Sequence, residues 1–566
     1  MTGGLFLERW RPQASTANGV ERVRLPLAVA VLISAIAAIA GPLGGVAGAQ
    51  AARSGVVRVV ARAGLAGDAA LSAAIDRAGG HAVRRIGIID ALIADVPASM
   101  VGVLRATPGV GEITPDGPIQ LESAAYDPSG DVASALSTTT LTGARGYWRA
   151  GYTGHGIDVA LIDSGTVPLA GLAGQVVAGP DLSFESTIPA LRNLDTFGHG
   201  THMASLIAGR DASMTSPYAS DTADYAGMAP DARILSLKVA DTHGISDVSQ
   251  VLAAIDWVVQ HAHDPGLNVR VMNLSFGTDS TQSYILDPLA FAAETAWHNG
   301  IVVVAAAGNS GWKSGLNNPA DDPYLLAVGA ADTRATMSTA DDAVAPFSAG
   351  GDGQRNPDLV APGVHLQGLR DPGSWIDVNN PQAVLADRFF RGSGTSQSTA
   401  LVAGAVALVE QQHPGITPDQ VKRLLMSTAT RLAGQPARLQ GAGELNLAAA
   451  LTAPPVPALL ASQLWVPSTG LGSVEASRGT VHVQFTTNGQ TLTGERDVHF
   501  AAVLPGPLAL LEQQLRAWLG DCFNGQTWPN ATAPPGGAMW SGSQWSGSQW
   551  SGSQWSGNEW SSAVWG

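Results

Sequence analysis

The stretch Ile157-Asp-Val-Ala-Leu-Ile-Asp163-Ser-Gly165 is short, almost wholly apolar and closed by a carboxylate and a glycine. Continuous apolar runs of this length, bounded by turn residues, read as strands buried on both faces of a parallel sheet. Working outward, the same pattern recurs in Ile234–Val239, Val269–Leu274, Ile301–Ala306 and Leu325–Gly329. Helix signals lie between and after these runs. Ser246 precedes an apolar-periodic segment to His263, Asp287-Pro288 opens a helix closed by Gly300, and Thr417-Pro-Asp-Gln420 has the form of a capping box. From about Gly143 to Ala450 this alternation predicts an α/β fold, a mostly parallel sheet with helices on both faces.

Upstream, the segments Val56–Val60, Asp68–Ala78, Ala82–Gly87, Asp90–Val96, Ala98–Thr107 and Val110–Thr114 read strand, helix, strand, strand, helix, strand. That βαββαβ order predicts a small α+β, ferredoxin-like domain over residues 54–120. Residues 121–142, rich in Ser, Thr, Ala and Asp, read as an exposed linker open to cutting. Leu25–Ala40 is uncharged, follows Arg22 and Arg24, and is succeeded by Ala47-Gly-Ala49, the layout of a signal peptide over residues 1–49. Its 16 apolar residues fall short of the roughly 20 that a membrane-spanning helix needs, which leaves an uncleaved anchor as the alternative.

After Ala453 the composition turns to Pro and Ala. The extension 453–535 carries a hairpin signal at Asn488-Gly489 and a helix pattern from Pro507 to Leu519, but no recognisable chemistry. The tail 540–566 repeats Trp-Ser-Gly-Ser-Gln and places Trp540, Trp545, Trp550, Trp555, Trp560 and Trp565 at intervals of five. Five matches neither the helical nor the strand period, so these rings form no regular face. Read by composition, the tail is low-complexity; read by chemistry, its rings are a stacking surface for glycan or cell-wall polymer.

Composition narrows the function. A chain of 566 residues, 45% hydrophobic and 14% charged, supports a large core and more than one segment. A net charge of -15 without a long Lys/Arg run argues against a nucleic-acid partner. Cys522 is the only cysteine, so no intrachain disulfide forms, and an exported chain must rely on packing or metal ions. Intermolecular pairing of Cys522 stays open.

Three segments carry candidate chemistry: Val159-Ala-Leu-Ile-Asp163-Ser-Gly165, Gly198-His199-Gly-Thr-His202, and Gly394-Thr-Ser396-Gln-Ser-Thr-Ala-Leu-Val-Ala-Gly404. Asp163 ends a strand at the carboxyl edge of the sheet, where it is placed to orient an imidazole or, alternatively, to cap a turn. His199 opens a helix, which fixes its ring and makes it a natural general base; His202 competes for the role. Ser396 begins an apolar helix of small residues, so its hydroxyl lies at the positive end of a helix dipole; the competing reading is an N-cap serine. Gly394 lets the backbone pass close to a substrate.

Together the three segments, in the order Asp, His, Ser, resemble the subtilisin (S8) family of serine endopeptidases over residues 143–450. The resemblance implies a subtilisin-like fold, a triad of Asp163, His199 and Ser396, and the first histidine of His-Gly-Thr-His as base. It implies that Asn309, after the strand Ile301-Val-Val-Val-Ala-Ala-Ala-Gly308, donates to the oxyanion beside the backbone N–H of Ser396. It also implies a substrate-binding edge at Ser275, Phe276 and Gly277 with Gly308, where main chain pairs with an extended peptide, and a structural role for Pro357–Gly363. Gln397 and Ser398 depart from the family's usual Met and Ala, and Ala400 from its proline. The expected partners are polypeptide substrates and the chain's own propeptide as inhibitor, in a self-processing precursor that is secreted or cell-surface associated. No cofactor is required for the chemistry, and structural calcium, if present, is not located by any sequence pattern. The alternative class is an adhesion or glycan-binding protein built on a protease scaffold.

Overall fold

The computed structural model describes residues 55–63, 67–115, 126–485, 490–498 and 500, with short strand fragments at Cys522–Phe523, Gln526–Thr527 and Ser543–Trp545. The expected signal segment, the hairpin turn at Asn488-Gly489, the helix Pro507–Leu519 and the tryptophan tail other than Ser543–Trp545 lie outside the described residues. The chain divides into two units, Met1–Ser123 and Ala124–Gly566.

In the first unit β1 (Val56–Ala63), α1 (Gly67–Arg77), β2 (His81–Ile86), β3 (Ala91–Pro97), α2 (Val101–Arg105) and β4 (Val110–Pro115) follow the expected βαββαβ order. The sheet order is β2-β3-β1-β4, and β1 is antiparallel to both neighbours. Alternate residues Val59 and Ala61 of β1, and Ala94 and Val96 of β3, face Leu71 and Ile75 of α1 and Leu104 of α2, the period-two pattern of a sheet with one covered face.

The second unit begins with α3 (Ala135–Leu141) and α4 (Ala144–Arg149). Residues 126–142 thereby differ from the exposed linker that their composition suggests. Ser134 caps α3, Ser137, Thr138 and Thr139 are buried, the Ala135 N–H donates to Gln367 Oε1 at 2.8 Å, and Arg391 pairs with Asp131 at 2.6 Å. Small hydroxylated residues here satisfy helix carbonyls and cap bonds instead of facing solvent.

The large sheet follows: β5 (Asp158–Asp163), β6 (Val176–Asp181), α5 (His199–Ala208), β7 (Arg233–Lys238), α6 (Val248–His261), β8 (Val269–Leu274), α7 (Pro288–His298), β9 (Val302–Ala306), β10 (Leu326–Asp332), β11 (Ala343–Val344) and β12 (Leu359–Pro362). Its order is β11-β10-β9-β8-β5-β7-β6 with β12 beside β10, parallel throughout except for β11. A smaller sheet of β13 (Leu366–Leu369), β14 (Val384–Leu385) and β15 (Phe389–Gly392) brackets α8 (Trp375–Asn379), and leads into α9 (Thr395–Gln412), followed by α10 (Pro418–Thr428). The strands sit within a residue or so of the runs read from sequence, except that β10 continues to Asp332. α6 starts from Asp247 in a capping box with Gln250, one residue later than Ser246 implies.

α9 lies on β8, β9 and β10 and packs against α5; α6 and α7 pack together, α6 against β5 and α7 against β9. Val159, Leu161, Ile162, Val302 and Val304 are fully enclosed, each such side chain contributing about 1.5–3 kcal/mol relative to exposure.

The extension beyond Ala453 belongs to this core. Val474, Val483, Phe485, Leu492 and Val498 join its main apolar cluster. The short helix Val474–Arg478 docks on the N-caps of two core helices: Arg478 Nε donates to Asp247 Oδ1 at 2.8 Å and Ser477 Oγ to Asp287 Oδ1 at 2.7 Å.

Candidate active site

Asp163 is the last residue of β5, at the carboxyl edge of the parallel sheet, and only 2% exposed. His199 is the first residue of α5, 3% exposed, and its Nδ1 lies 2.7 and 2.9 Å from the two Asp163 carboxylate oxygens. With a carboxylate accepting at Nδ1, the proton sits on that nitrogen and Nε2 is left as the basic one. The turn-capping alternative for Asp163 is present as well: its Oδ1 accepts the Ser164 N–H at 2.8 Å. One carboxylate serves both purposes.

The ring's position is fixed by a loop that sequence reading left without a role. Gly200, between the two histidines, packs so tightly on Gly165 that an added Cβ would stand 2.2 Å from the Gly165 carbonyl oxygen. Ser164 Oγ accepts the Gly200 N–H at 2.9 Å and donates to Asp195 Oδ1 at 2.8 Å. Asp195 also accepts N–H bonds from Phe197, Gly198 and Thr201 at 3.1, 2.6 and 2.7 Å. Burial pushes the Asp195 carboxyl above its usual range, and the hydrogen bonds from Gly198 and Thr201 oppose it. Lys238, opposite Asp163 in the β5–β7 register and wholly buried, reaches Glu185 at 2.6 Å and the Leu194 carbonyl. The Asp-Thr-Phe-Gly run before His199 was the available sign of such an N-terminal cap.

His202 is the weaker candidate for the base. Its ring is pushed down to about 3, by burial first and by His199 second, and it lies against β13, where a Cβ on Gly368 would meet it at 2.5 Å. It packs as a neutral core residue.

Ser396 is the second residue of α9, whose N-cap is Gly394, so it is not an N-cap serine. Its hydroxyl donates to the Ser275 carbonyl oxygen at 3.0 Å, while Ser275 Oγ donates to the Ser396 carbonyl at 3.1 Å. This reciprocal pair brings the expected substrate edge to the expected nucleophile. Asn309 Oδ1 accepts from both the N–H and the hydroxyl of Thr395, each at 2.9 Å. With its oxygen so engaged, the amide turns Nδ2 the other way, toward Gly394. Gly277 and Gly308 meet at Asn317: a Cβ on either would stand 2.7 Å from that side chain, so both chains pass it only as glycines. Phe276, which precedes Gly277, is buried. Gly404, which closes the third motif, lets α9 approach α5, since a Cβ there would lie 3.1 Å from the Ile207 carbonyl oxygen.

Among the described residues no group of three or more His, Cys, Asp or Glu side chains is placed to hold a metal ion.

The sequence model of the subtilase family matches residues 154–443, about half of the chain. The chain belongs to the subtilase family. It shares with that family the enzyme class of serine-type endopeptidase. Serine protease AprX of Bacillus subtilis (strain 168) is 36% identical over 301 residues, covering 52% of this subtilase and 66% of AprX. Subtilisin Savinase of Lederbergia lenta is 33% identical over 304 residues, covering 53% of this chain and 92% of that one. Subtilisin E of Bacillus subtilis (strain 168) is 31% identical over 391 residues, covering 66% and 84%. Among the described residues of this subtilase no helix is long and apolar enough to cross a membrane.

Proposed function

We propose that this subtilase hydrolyses peptide bonds through Asp163, His199 and Ser396, with an acyl-enzyme intermediate. The observation that carries the reading is the contact of His199 Nδ1 with both carboxylate oxygens of Asp163, at 2.7 and 2.9 Å. That contact fixes the tautomer, so Nε2 takes the Ser396 proton as Oγ attacks the carbonyl carbon. Asn309 Nδ2 and the Ser396 N–H donate to the oxyanion. The imidazolium then gives its proton to the leaving amine, and water repeats the sequence to release the acid. An extended peptide lies along Ser275, Phe276 and Gly277, reached by its main chain. The chemistry asks for no cofactor.

The finer reading extends to biosynthesis. The N-terminal unit acts as an inhibitory propeptide, and Leu25–Ala40 directs export. Burial of Ser134, Ser137 and Thr138 within the catalytic unit supports a maturing cut upstream of Ser134. Ser396→Ala, expressed from Ala51 in a host without other proteases, tests both parts: it should hydrolyse no casein and should accumulate uncut. Normal maturation of that variant would assign the cut to another protease.

A further inference from the structure

Gln397 follows the nucleophile directly, and nothing in the mechanism above uses it. Its side chain is fully buried, and neither carboxamide atom has a hydrogen-bond partner among the described residues. A buried amide without partners is rare enough in a folded chain to need a reason.

Gly394 locates the amide. The point where a Cβ would stand on Gly394 is 2.7 Å from Gln397 Oε1, 3.5 Å from Asn309 Nδ2 and 3.7 Å from the Ser396 backbone nitrogen. The space beside that glycine is therefore bordered by three amide groups. Two of them are the oxyanion donors assigned above. The two orientations of a carboxamide fill the same volume, and with both ends unpartnered nothing in the surrounding protein holds the oxygen rather than the nitrogen toward that space. An arriving negative oxygen supplies the missing acceptor and favours the orientation with Nε2 inward.

We propose that Gln397 is a third donor to the oxyanion, its Nε2–H joining Asn309 Nδ2–H and the Ser396 N–H over Gly394. The inference rests on the triad reading. A methionine at this position, with a thioether and no N–H, has nothing to donate. The gain arises in the tetrahedral intermediate, where the oxygen carries charge, and little of it in the bound substrate.

The test uses the full chain as wild type, Gln397→Met and Gln397→Leu, the last of similar size and without any donor. Fluorescein-labelled casein identifies a cleaved sequence. A peptide of that sequence then gives kcat and KM, and the corresponding peptide aldehyde, which forms a tetrahedral adduct with the serine, gives an inhibition constant. The expected result for Gln397→Met is a fall in kcat of about 10-fold or more with KM nearly unchanged, and aldehyde affinity reduced in proportion to kcat/KM. Its melting temperature should not fall, because an unpartnered amide has been removed. A Gln397→Met enzyme with wild-type kcat, or with reduced kcat but undiminished aldehyde affinity, would overturn the proposal. Should that variant not fold, Gln397→Leu carries the same comparison. Wild type that cleaves casein yet takes no fluorophosphonate on Ser396 would overturn the triad reading and this inference together.

Discussion

Asn309 is held by the residue that precedes Ser396: its Oδ1 accepts from the N–H and the hydroxyl of Thr395, both at 2.9 Å. The bond pair ties the loop after β9 to the first turn of α9 and so sets the spacing of Asn309 and Ser396. Asn309→Ala should lower kcat by about 10²–10³ with KM little changed, the loss known for such a donor in a subtilisin. Thr395→Val, which keeps the backbone bond and removes the hydroxyl, should cost roughly 10-fold or less. Steady-state kinetics on one peptide substrate checks both.

Gly200 is the tightest point of the site, where a methyl group would stand 2.2 Å from the Gly165 carbonyl oxygen. Both partners are backbone, so neither can turn away. Gly200→Ala should destabilise the fold by about 1–3 kcal/mol and, by displacing the His199 ring, cut kcat/KM by about 100-fold. Thermal melting read beside activity separates the two effects. An alanine variant with wild-type activity would mean that the ring is positioned by other contacts.

The loop beside His199 carries a pH dependence. Asp371 is buried, and its carboxyl is pushed up to about 8, first by burial, then by the charges of Asp195 and Asp377, with Lys238 opposing. Between about pH 4, where the unfolded chain releases this proton, and about 8, where the folded chain does, the folded state holds a proton that the unfolded state lacks. Stability contributed by this group therefore falls as pH rises through that window. Asp371→Asn cannot titrate, and its melting temperature should decline less than that of wild type between about pH 5 and pH 9. Parallel declines in the two proteins would contradict the assignment.

Much of this was legible in the chain. The buried strands announced themselves because a doubly covered sheet demands unbroken apolar runs, and Asp163, His199 and Ser396 fall at element ends where the motifs put them. Cooperative contacts were not legible. Ser164, Asp195, Lys238 and Asn317 act through partners distant in sequence, and a lone buried Asp or Lys has no local pattern. Residues 126–142 misled because Ser and Thr suit linkers and helix caps alike. The extension beyond Ala453 gave no sign of belonging to the core, since its anchor depends on Arg478 finding Asp247, 231 positions away.

That anchor is itself testable. Arg478 and Asp247 are each 1% exposed, and the arginine also pairs with Glu475. Removing one partner leaves a buried carboxylate uncompensated at the N-cap of α6. Arg478→Met should cost about 3–5 kcal/mol in urea unfolding, whereas the double change Arg478→Met with Asp247→Ser, which keeps a cap, should recover part of the loss.

The central claim is that Ser396 is the nucleophile activated by His199. Treating the mature enzyme with a fluorophosphonate probe and mapping the adduct by mass spectrometry measures this directly. The account predicts a single adduct on Ser396, lost in His199→Ala and strongly slowed in Asp163→Asn. An adduct on another serine, or hydrolysis of peptide that persists after Ser396 is fully modified, would contradict it.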